Sequence, residues 1–225
     1  MSSEGDSGYG FGDGVPLEPV APGTTVLVAG PALSRTEDLA RSMVTDGNSD
    51  GEGALYISTN KTHKKVLDAC RQTHPSLDTD LVGVIDCSGQ EIGQSPPGVN
   101  VKYVSTQSDL TGIGMKFSAL YESLYADATA GRVRTSLISL SSLSMYVDLR
   151  SLFQFAQTLS GRIDSADGLG VFAIDPTTHD TKTVNTLSQV ADGRIEVRES
   201  DDGDNELRVR GLPDQPTGWH PFTPP

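Results

Sequence analysis

The residues that could do chemistry begin at Gly30, which follows an apolar run and precedes the segment 34–37, Ser-Arg-Thr-Glu. A strand, a glycine-led turn and a helix together form the layout of a phosphate-binding loop. In such a loop the backbone N–H groups at the helix N-terminus bind phosphate, while a lysine and a hydroxyl contact the phosphates and the metal. The candidate cofactor-binding residues are therefore Gly30, Ser34, Arg35 and Thr36.

The loop departs from the usual pattern G-x-x-x-x-G-K-[ST] at its key positions. Without a gap, Arg35 falls at the second glycine, Thr36 at the lysine and Glu37 at the hydroxyl. With one residue deleted, Arg35 replaces the lysine and Thr36 supplies the metal-binding hydroxyl. The sequence therefore indicates a nucleotide-binding loop in which the residues at the key positions have been replaced.

The spacing of Ser34 and Glu37 offers a structural explanation for the same residues. An S-x-x-E pair predicts a capping box, here at the start of a helix over 35–46, whose side chains occupy the free helix N–H groups. Glu37 would also place negative charge where a polyphosphate binds. An ordinary capped helix is therefore favoured over a working phosphate site.

Asp175 and His179 follow the end of a predicted strand, where ligands bind in open α/β sheets. They could form an acid–base pair of a different small-molecule enzyme. The alternative is a strand exit, a proline turn, and a helix capped by Thr178 or Asp180. Capping explains the residue types well, so we favour it.

Cys70 and His74 are four residues apart on a predicted helix and could present a metal pair. A zinc site needs three or four ligands, and Cys87 is the one further candidate. We therefore expect a buried cysteine and a surface histidine, with no metal. Two thiols do not make a disulfide framework, so the chain is expected in the reducing cytoplasm.

These residues must be positioned by elements that alternate between strand and helix. Apolar strands are predicted over 24–29, 54–59, 81–87, 101–104, 135–140 and 168–174. Helices are predicted over 35–46, 61–73, 111–130, 147–163 and 180–191, and an antiparallel hairpin over 194–199 and 206–210. Repeated β-α-β units predict an α/β fold with a mostly parallel twisted sheet, helices on both faces and the hairpin at the sheet edge.

The 225 residues suit one such domain, which we place at 21–212. The acidic and glycine-rich residues 1–20 are expected to be a flexible tail, and the proline-rich segment 213–225 is expected to pack on the domain or on a neighbour. The net charge of −13 argues against a nucleic-acid surface. No apolar run approaches the roughly 20 residues that span a membrane, and the N-terminus has no signal-peptide pattern.

Several segments, in order, resemble KaiC-type members of the RecA superfamily. The opening 23–31, Gly-Thr-Thr-Val-Leu-Val-Ala-Gly-Pro, is similar to the family's G-T-x-x-L-V-x-G-P. The other similar segments are 54–59 (Ala-Leu-Tyr-Ile-Ser-Thr), 139–143 (Ser-Leu-Ser-Ser-Leu), 211–213 (Gly-Leu-Pro) and 218–222 (Gly-Trp-His-Pro-Phe). The resemblance covers about residues 21–222 and implies a RecA-like P-loop NTPase fold. The aspartate-rich composition suggests a haloarchaeal branch of unassigned function.

The catalytic groups of that family do not carry over. Its paired glutamates fall on Asn60 and Lys61, and its Walker B acid falls on Ile138, with Ser139 beside it. Phosphoryl transfer needs a metal held by acid and hydroxyl and a group that orients water. The resemblance therefore implies a pseudo-ATPase that needs no cofactor and regulates or scaffolds other proteins in signalling. The alternative is an ATPase that binds ATP and magnesium through a shortened loop containing Arg35.

The expected partners are proteins, among them RecA/KaiC-like relatives or a second copy of the chain. Tyrosine, tryptophan and arginine are enriched among residues that anchor interfaces. The candidate interface residues are Tyr146, Arg150, Trp219 and Phe222.

Overall fold

The computed structural model describes residues 8–32, 34–89 and 98–223. Within these residues the chain forms nine strands and six α-helices. The strands are β1 (Thr25–Ala29), β2 (Gly53–Ser58), β3 (Val82–Asp86), β4 (Asn100–Tyr103), β5 (Val133–Ile138), β6 (Leu169–Ile174), β7 (Gly193–Glu199), β8 (Asn205–Arg210) and β9 (His220–Pro221). The helices are α1 (Thr36–Thr45), α2 (His63–Thr73), α3 (Leu110–Asp127), α4 (Leu140–Leu143), α5 (Leu149–Asp164) and α6 (Thr181–Ser188).

All nine strands join one sheet in the order β4-β3-β2-β5-β6-β1-β7-β8-β9. The pairs from β4 to β7 are parallel, and β8 and β9 add on as antiparallel strands. This confirms the predicted α/β fold with a mostly parallel sheet and an antiparallel hairpin at its edge. The carboxyl ends of the central strands consequently meet along one edge, where a ligand site is expected.

Helices cover both faces of the sheet because alternate residues of each buried strand point to opposite sides. In β1, Val26 and Val28 pack in the core under α1 and α2, whereas Leu27 and Ala29 pack under α3 and α5. Each fully buried valine or leucine side chain contributes about 1.5–3 kcal/mol to the free energy of folding. The two hydrophobic layers together fix the sheet. Among the described residues, no helix is both long and apolar enough to cross a membrane.

Two elements have other bounds than the sequence pattern predicted: β5 is shifted by two residues and α6 is shorter. The central strand ends at Ile138 rather than at residue 140, because the hydroxyl of Ser139 accepts the N–H of Ser142 and starts α4. The helix predicted over 180–191 is α6, which Asp180 caps by accepting the N–H of Thr183. In both cases a side-chain cap sets the residue at which the helix begins.

Part of the expected N-terminal tail packs on the domain. Tyr9 pairs with Val20 through backbone hydrogen bonds of 2.7 and 3.1 Å, and both side chains are buried. The Tyr9 hydroxyl donates to the carbonyl of Asp167 at 2.8 Å, and the guanidinium of Arg134 lies over the Tyr9 ring. The predicted flexible tail over 1–20 is therefore wrong for residues 8–20, because the buried ring of Tyr9 holds this segment against the domain. Residues 1–7 of the predicted tail lie outside the described residues.

The C-terminal segment returns to the chain's own sheet. β9 pairs with β8, and Phe222 is buried in the same core layer as Leu207. The prediction of Phe222 as an interface residue is therefore wrong, because its ring is only 5% exposed within its own domain. Trp219 is partly buried against Arg198 and Arg208.

Candidate functional site

A cleft of about 750 Å³ opens at the carboxyl ends of β1, β5 and β6. It lies at the position where open parallel sheets bind ligands. The fold brings most of the predicted site residues together here, together with residues from the turn after β2. The lining includes Gly30, Arg35, Thr36, Asn60, Lys61, Ser139, Asp175 and His179.

The loop after β1 is closely packed around Gly30. A Cβ atom at this position would lie 2.3 Å from Thr36 Oγ1, 2.8 Å from Ser34 Oγ and 2.9 Å from Val197 Cβ. Only glycine therefore fits without movement of its neighbours. The Ser34 hydroxyl donates to the carbonyl of Pro31 at 2.7 Å and lies 2.8 Å from the Thr36 hydroxyl. Both hydroxyls that could contact a phosphate or a metal are thus bonded within the loop.

The carboxylate of Asp175 reaches into this loop from the end of β6. Its Oδ2 accepts the backbone N–H of Ala32 at 3.1 Å. Its Oδ1 accepts the N–H and the hydroxyl of Thr177, at 2.9 and 2.7 Å. An anionic group of the protein itself therefore occupies an N–H group of the loop, which is the type of donor that phosphate uses.

The predicted capping box of Ser34 and Glu37 is wrong. Arg35 occupies the N-cap position of α1. Its backbone is left-handed, with φ of 63°, and its side chain makes no hydrogen bond that caps the helix. This conformation turns the chain between Ser34 and the helix, so the Ser34 hydroxyl points into the loop. Glu37 instead forms an ion pair with Lys61, with Oε2 2.5 Å from Nζ.

Arg35, the cation on which the alternative ATPase function depends, already forms an ion pair with a carboxylate of the protein. Nη1 of Arg35 lies 3.2 Å from Asp38 Oδ2, and Oδ1 of the same carboxylate accepts from Arg41 at 2.8 Å. Lys61 is paired with Glu37 across the cleft. The two basic side chains that the loop and the turn after β2 bring to the cleft are thus neutralised within the protein.

Asp175 and His179 do not form the acid–base pair that the sequence allowed. Both instead bond to Ser141, whose hydroxyl accepts the N–H of Asp175 at 2.9 Å and lies 2.9 Å from His179 Nε2. Asp180 caps α6, which confirms the favoured capping interpretation, and Asp175, which that interpretation did not name, caps the 3₁₀ turn Pro176–Thr178. Sequence reasoning missed Ser141. A detectable signal was the run of serines directly after β5, at the carboxyl edge of the sheet.

The candidate metal ligands Cys70, His74 and Cys87 do not form one site. Cys70 belongs to the core layer under α1 and α2, and Cys87 to the layer on the opposite face of the sheet. Nε2 of His74 lies 2.9 Å from Asp46 Oδ1. Over residues 8–32, 34–89 and 98–223 no cluster of three or more metal-binding side chains is found.

Exposed side chains on the turn between α4 and α5 and on the first turn of α5 form a surface that we call the rim. Met145 is 81% exposed and Tyr146 is 51% exposed, and Arg150 is exposed on the first turn of α5. Met145 also lines the cleft. Large apolar side chains of this kind mark candidate contact surfaces.

Asp86, at the carboxyl end of β3, is held with His63 in a buried pair. Its Oδ2 accepts the N–H of His63 at 2.7 Å and lies 3.0 Å from Nδ1 of that ring. Burial raises the pKa of Asp86, but hydrogen bonds from Ser88 and His63 outweigh it and hold this pKa below its usual value. The pair anchors the start of α2 to the sheet.

Comparisons with known proteins agree with this architecture. The structure of the KaiC-like protein PH0186 from the hyperthermophilic archaeon Pyrococcus horikoshii OT3 is similar, with a TM-score of 0.65 and 14% sequence identity. The similarity covers 96% of this chain and 93% of that one. At this identity it shows the fold alone, which is RecA/KaiC-like.

No curated protein matches the sequence. A family model described as a family of unknown function, DUF7504, matches residues 23–197. Because this match spans more than half of the chain, the protein belongs to the DUF7504 family.

Proposed function

We propose that this chain is a catalytically degenerate RecA/KaiC-like domain that regulates or scaffolds other proteins, in signalling and in the cytoplasm. The observation that carries the proposal is the bond from the Ala32 N–H to the Asp175 carboxylate. A nucleoside triphosphate would bring its own negative charge to the same loop, next to a carboxylate that is already bonded there. Because like charges repel, the carboxylate disfavours a phosphate group at this loop.

The residues of the cleft do not fit a nucleoside triphosphate with its magnesium ion. The Thr36 hydroxyl is bonded to Ser34, and Arg35 is paired with Asp38. The position after β5 holds Ser139, whose hydroxyl caps α4. Phosphoryl transfer depends on a metal-binding acid and a group that orients water, and neither Asn60 nor Lys61 is an acid.

The rim of Met145, Tyr146 and Arg150 is the proposed contact with a protein partner. These side chains are exposed, and their types are those that anchor interfaces. The partner is a protein, either a RecA/KaiC-like relative or a second copy. Both cysteines are free, buried thiols, which suits a reducing compartment.

Calorimetry with ATP and ADP in molar KCl and magnesium tests the loss of nucleotide binding. We expect no heat of binding and no thermal stabilisation up to millimolar nucleotide. Micromolar binding that the variant Arg35→Ala abolishes would contradict the proposal and support the Arg35-containing ATPase. A hydrolysis assay on the same samples separates a nucleotide-binding switch from an enzyme.

A further inference from the structure

The outward face of the β7–β8 hairpin carries an ordered array of charges. Alternate residues of both strands, Ile195, Val197 and Leu207, point into the core. The residues between them form three cross-strand pairs on the other side of the hairpin. These pairs are Arg194 with Arg210, Glu196 with Arg208, and Arg198 with Glu206. We call the four arginines of this array the arginine face.

The arginine face is positive in an otherwise acidic protein. The whole chain has 17 basic and 30 acidic residues, giving a net charge of −13. The array has four arginines against two glutamates, so it carries two surplus positive charges. Arg194 lies directly opposite Arg210, and like charges in such a pair destabilise a sheet. Glu196, which contacts both arginines, offsets part of this repulsion.

One carboxylate serves three of the arginines. Glu196 lies 3.3 Å from Arg194 Nη2 and 3.3 Å from Arg210 Nε, and it accepts from Arg208 as well. Partial burial raises the pKa of Glu196, but the hydrogen bond from Arg208 and the three nearby positive charges together hold it below its usual value. Glu196 therefore stays ionised, and both of its carboxylate oxygens contact these arginines.

The arginine face retains unused hydrogen-bond donors. Nε of Arg194 is buried and has no hydrogen-bond partner among the described residues. The side chain of Arg210 is 59% exposed, and its contact with Glu196 is made through Nε. A guanidinium carries five N–H donors in a planar fork that suits a carboxylate. The exposed Arg210 can therefore take a further anion, and the partly exposed Arg194 beside it adds positive charge.

Trp219 holds the neighbouring arginines in place. Its ring centroid lies 4.0 Å from Cζ of Arg198 and 4.5 Å from Cζ of Arg208. The tryptophan itself is fixed because β9 follows it directly and Phe222 is buried. Stacking on an aromatic ring limits the freedom of a guanidinium, so less entropy is lost when a ligand binds.

We propose that the arginine face binds an acidic segment of a partner protein, whose carboxylates engage Arg194 and Arg210. This surface is separate from the cleft, and the proposal does not depend on the function assigned there. Strand addition is not the binding mode, because the outer strand β9 has only two residues and one of them is Pro221. Binding through side chains of the hairpin face is the mode that remains.

A protein segment suits this face better than a nucleic acid. Duplex DNA carries one charge per roughly 1.7 Å and is bound by extended basic surfaces. Here Glu196 and Glu206 interrupt the array, and the rest of the chain is strongly acidic. The ring of Trp219 already stacks on two guanidiniums, so it is a poor platform for bases. The two surplus positive charges of the arginine face are enough to bind a short run of carboxylates.

The test uses a fluorescein-labelled hexapeptide of alternating glutamate and serine, which places its carboxylates on one side when extended. Fluorescence anisotropy measures its binding, in KCl at which circular dichroism shows the protein folded. The emission of Trp219, the chain's one tryptophan, gives a second readout at the site. We expect saturable binding that changes the tryptophan emission, and at least tenfold weaker binding by the double variant Arg194→Gln, Arg210→Gln.

The matched controls are the same peptide with glutamine in place of glutamate, and the variant Arg71→Gln, which removes an exposed arginine of α2. The single variant Arg210→Gln is the second test if the double variant unfolds, since its side chain is mostly exposed. Equal binding of the glutamine peptide, or undiminished binding by Arg210→Gln, would overturn the proposal. Tighter binding of a labelled single-stranded dT12 than of the acidic peptide would assign the face to nucleic acid instead.

Discussion

Asp175 Oδ2 accepts the backbone N–H of Ala32 at 3.1 Å and thereby joins the end of β6 to the loop between β1 and α1. The two residues are far apart in sequence and meet because β1 and β6 are neighbours in the sheet. The bond places a negative charge of the protein in the loop of a RecA/KaiC-like fold. The proposed loss of nucleotide chemistry rests on this contact.

Replacing Asp175 with alanine tests how far this contact holds the loop. The carboxylate accepts bonds from Ala32 and from two groups of Thr177. Its loss should lower the free energy of unfolding by about 1–2 kcal/mol, measured by urea denaturation. The variant should still not hydrolyse ATP. Asp201→Ala, in the exposed β7–β8 turn, is the control and should leave stability unchanged; an equal loss in both variants would argue against the contact.

Gly30→Ala should destabilise the protein by about 1–3 kcal/mol, because the new Cβ overpacks the loop. The obstacles include Val197 Cβ at 2.9 Å, which belongs to β7 and cannot rotate away. Chemical denaturation measures the change. The control is Gly114→Ala in α3, where a Cβ meets nothing within 4 Å. That variant should gain about 0.5–1 kcal/mol from helix propensity; a stable Gly30→Ala protein would mean that the loop is loosely packed.

Two substitutions of Arg35 separate the effect of its backbone conformation on stability from the effect of its charge. Arg35 has φ of 63°, which costs an ordinary residue about 1–2 kcal/mol but costs glycine little. Its exposed ion pair with Asp38 contributes at most about 1 kcal/mol. Arg35→Gly should therefore be about 1 kcal/mol more stable than Arg35→Ala by thermal or urea unfolding. Equal stabilities would show that the left-handed conformation carries no strain.

The buried pair of Asp86 and His63 predicts a pH dependence of stability. The pKa of Asp86 is lowered in the folded state, so the unfolded chain takes up the proton first as the solution is acidified. The stability due to this carboxylate is therefore fully present above its unfolded pKa of about 3.9 and is lost as pH falls through the folded value.

Asp86→Asn should remove this acid-dependent term and cost about 1–3 kcal/mol at pH 7, since a bonded carboxylate is replaced by a neutral amide. Denaturation curves of both proteins between pH 7 and pH 3 measure the difference, which should shrink at low pH. The control is Asp68→Asn on the exposed face of α2, which should follow the wild-type curve. A constant difference at every pH would contradict the assigned role.

The buried ion pair of Arg134 and Glu52 should be essential to stability. Arg134 Nε lies 2.5 Å from Glu52 Oε2, and its Nη1 donates to the carbonyls of Gly10 and Met43. Arg134→Met leaves the buried Glu52 carboxylate with the longer contact to Arg132, at 3.9 Å, and should cost about 3–5 kcal/mol. Limited proteolysis should then cut the segment near Gly10. The double variant Arg134→Met, Glu52→Leu should recover most of this loss; if it does not, the pair is not the cause.

The sequence was sufficient to predict the layers of this fold. The apolar strands, the helices between them and the closing hairpin follow from hydrophobic periodicity, which depends only on neighbouring residues. The positions of β1 to β8 and the sheet type agree with the structure, and the errors lie at element ends and in the short elements α4 and β9, which the pattern did not predict. Those ends depend on single side-chain bonds, such as the cap that Ser139 makes at α4.

The sequence by itself determined the fold class and the position of Gly30, Arg35 and Thr36 at one edge of the sheet, because a glycine-led turn between a strand and a helix lies at the carboxyl end of that strand. Only the tertiary structure decided the partners of those residues. Ala32 bonds to Asp175, and Ser34 turns away from the helix start. The pattern of hydrophobic residues carries no information on such contacts, since they depend on how distant strands align and on one left-handed residue.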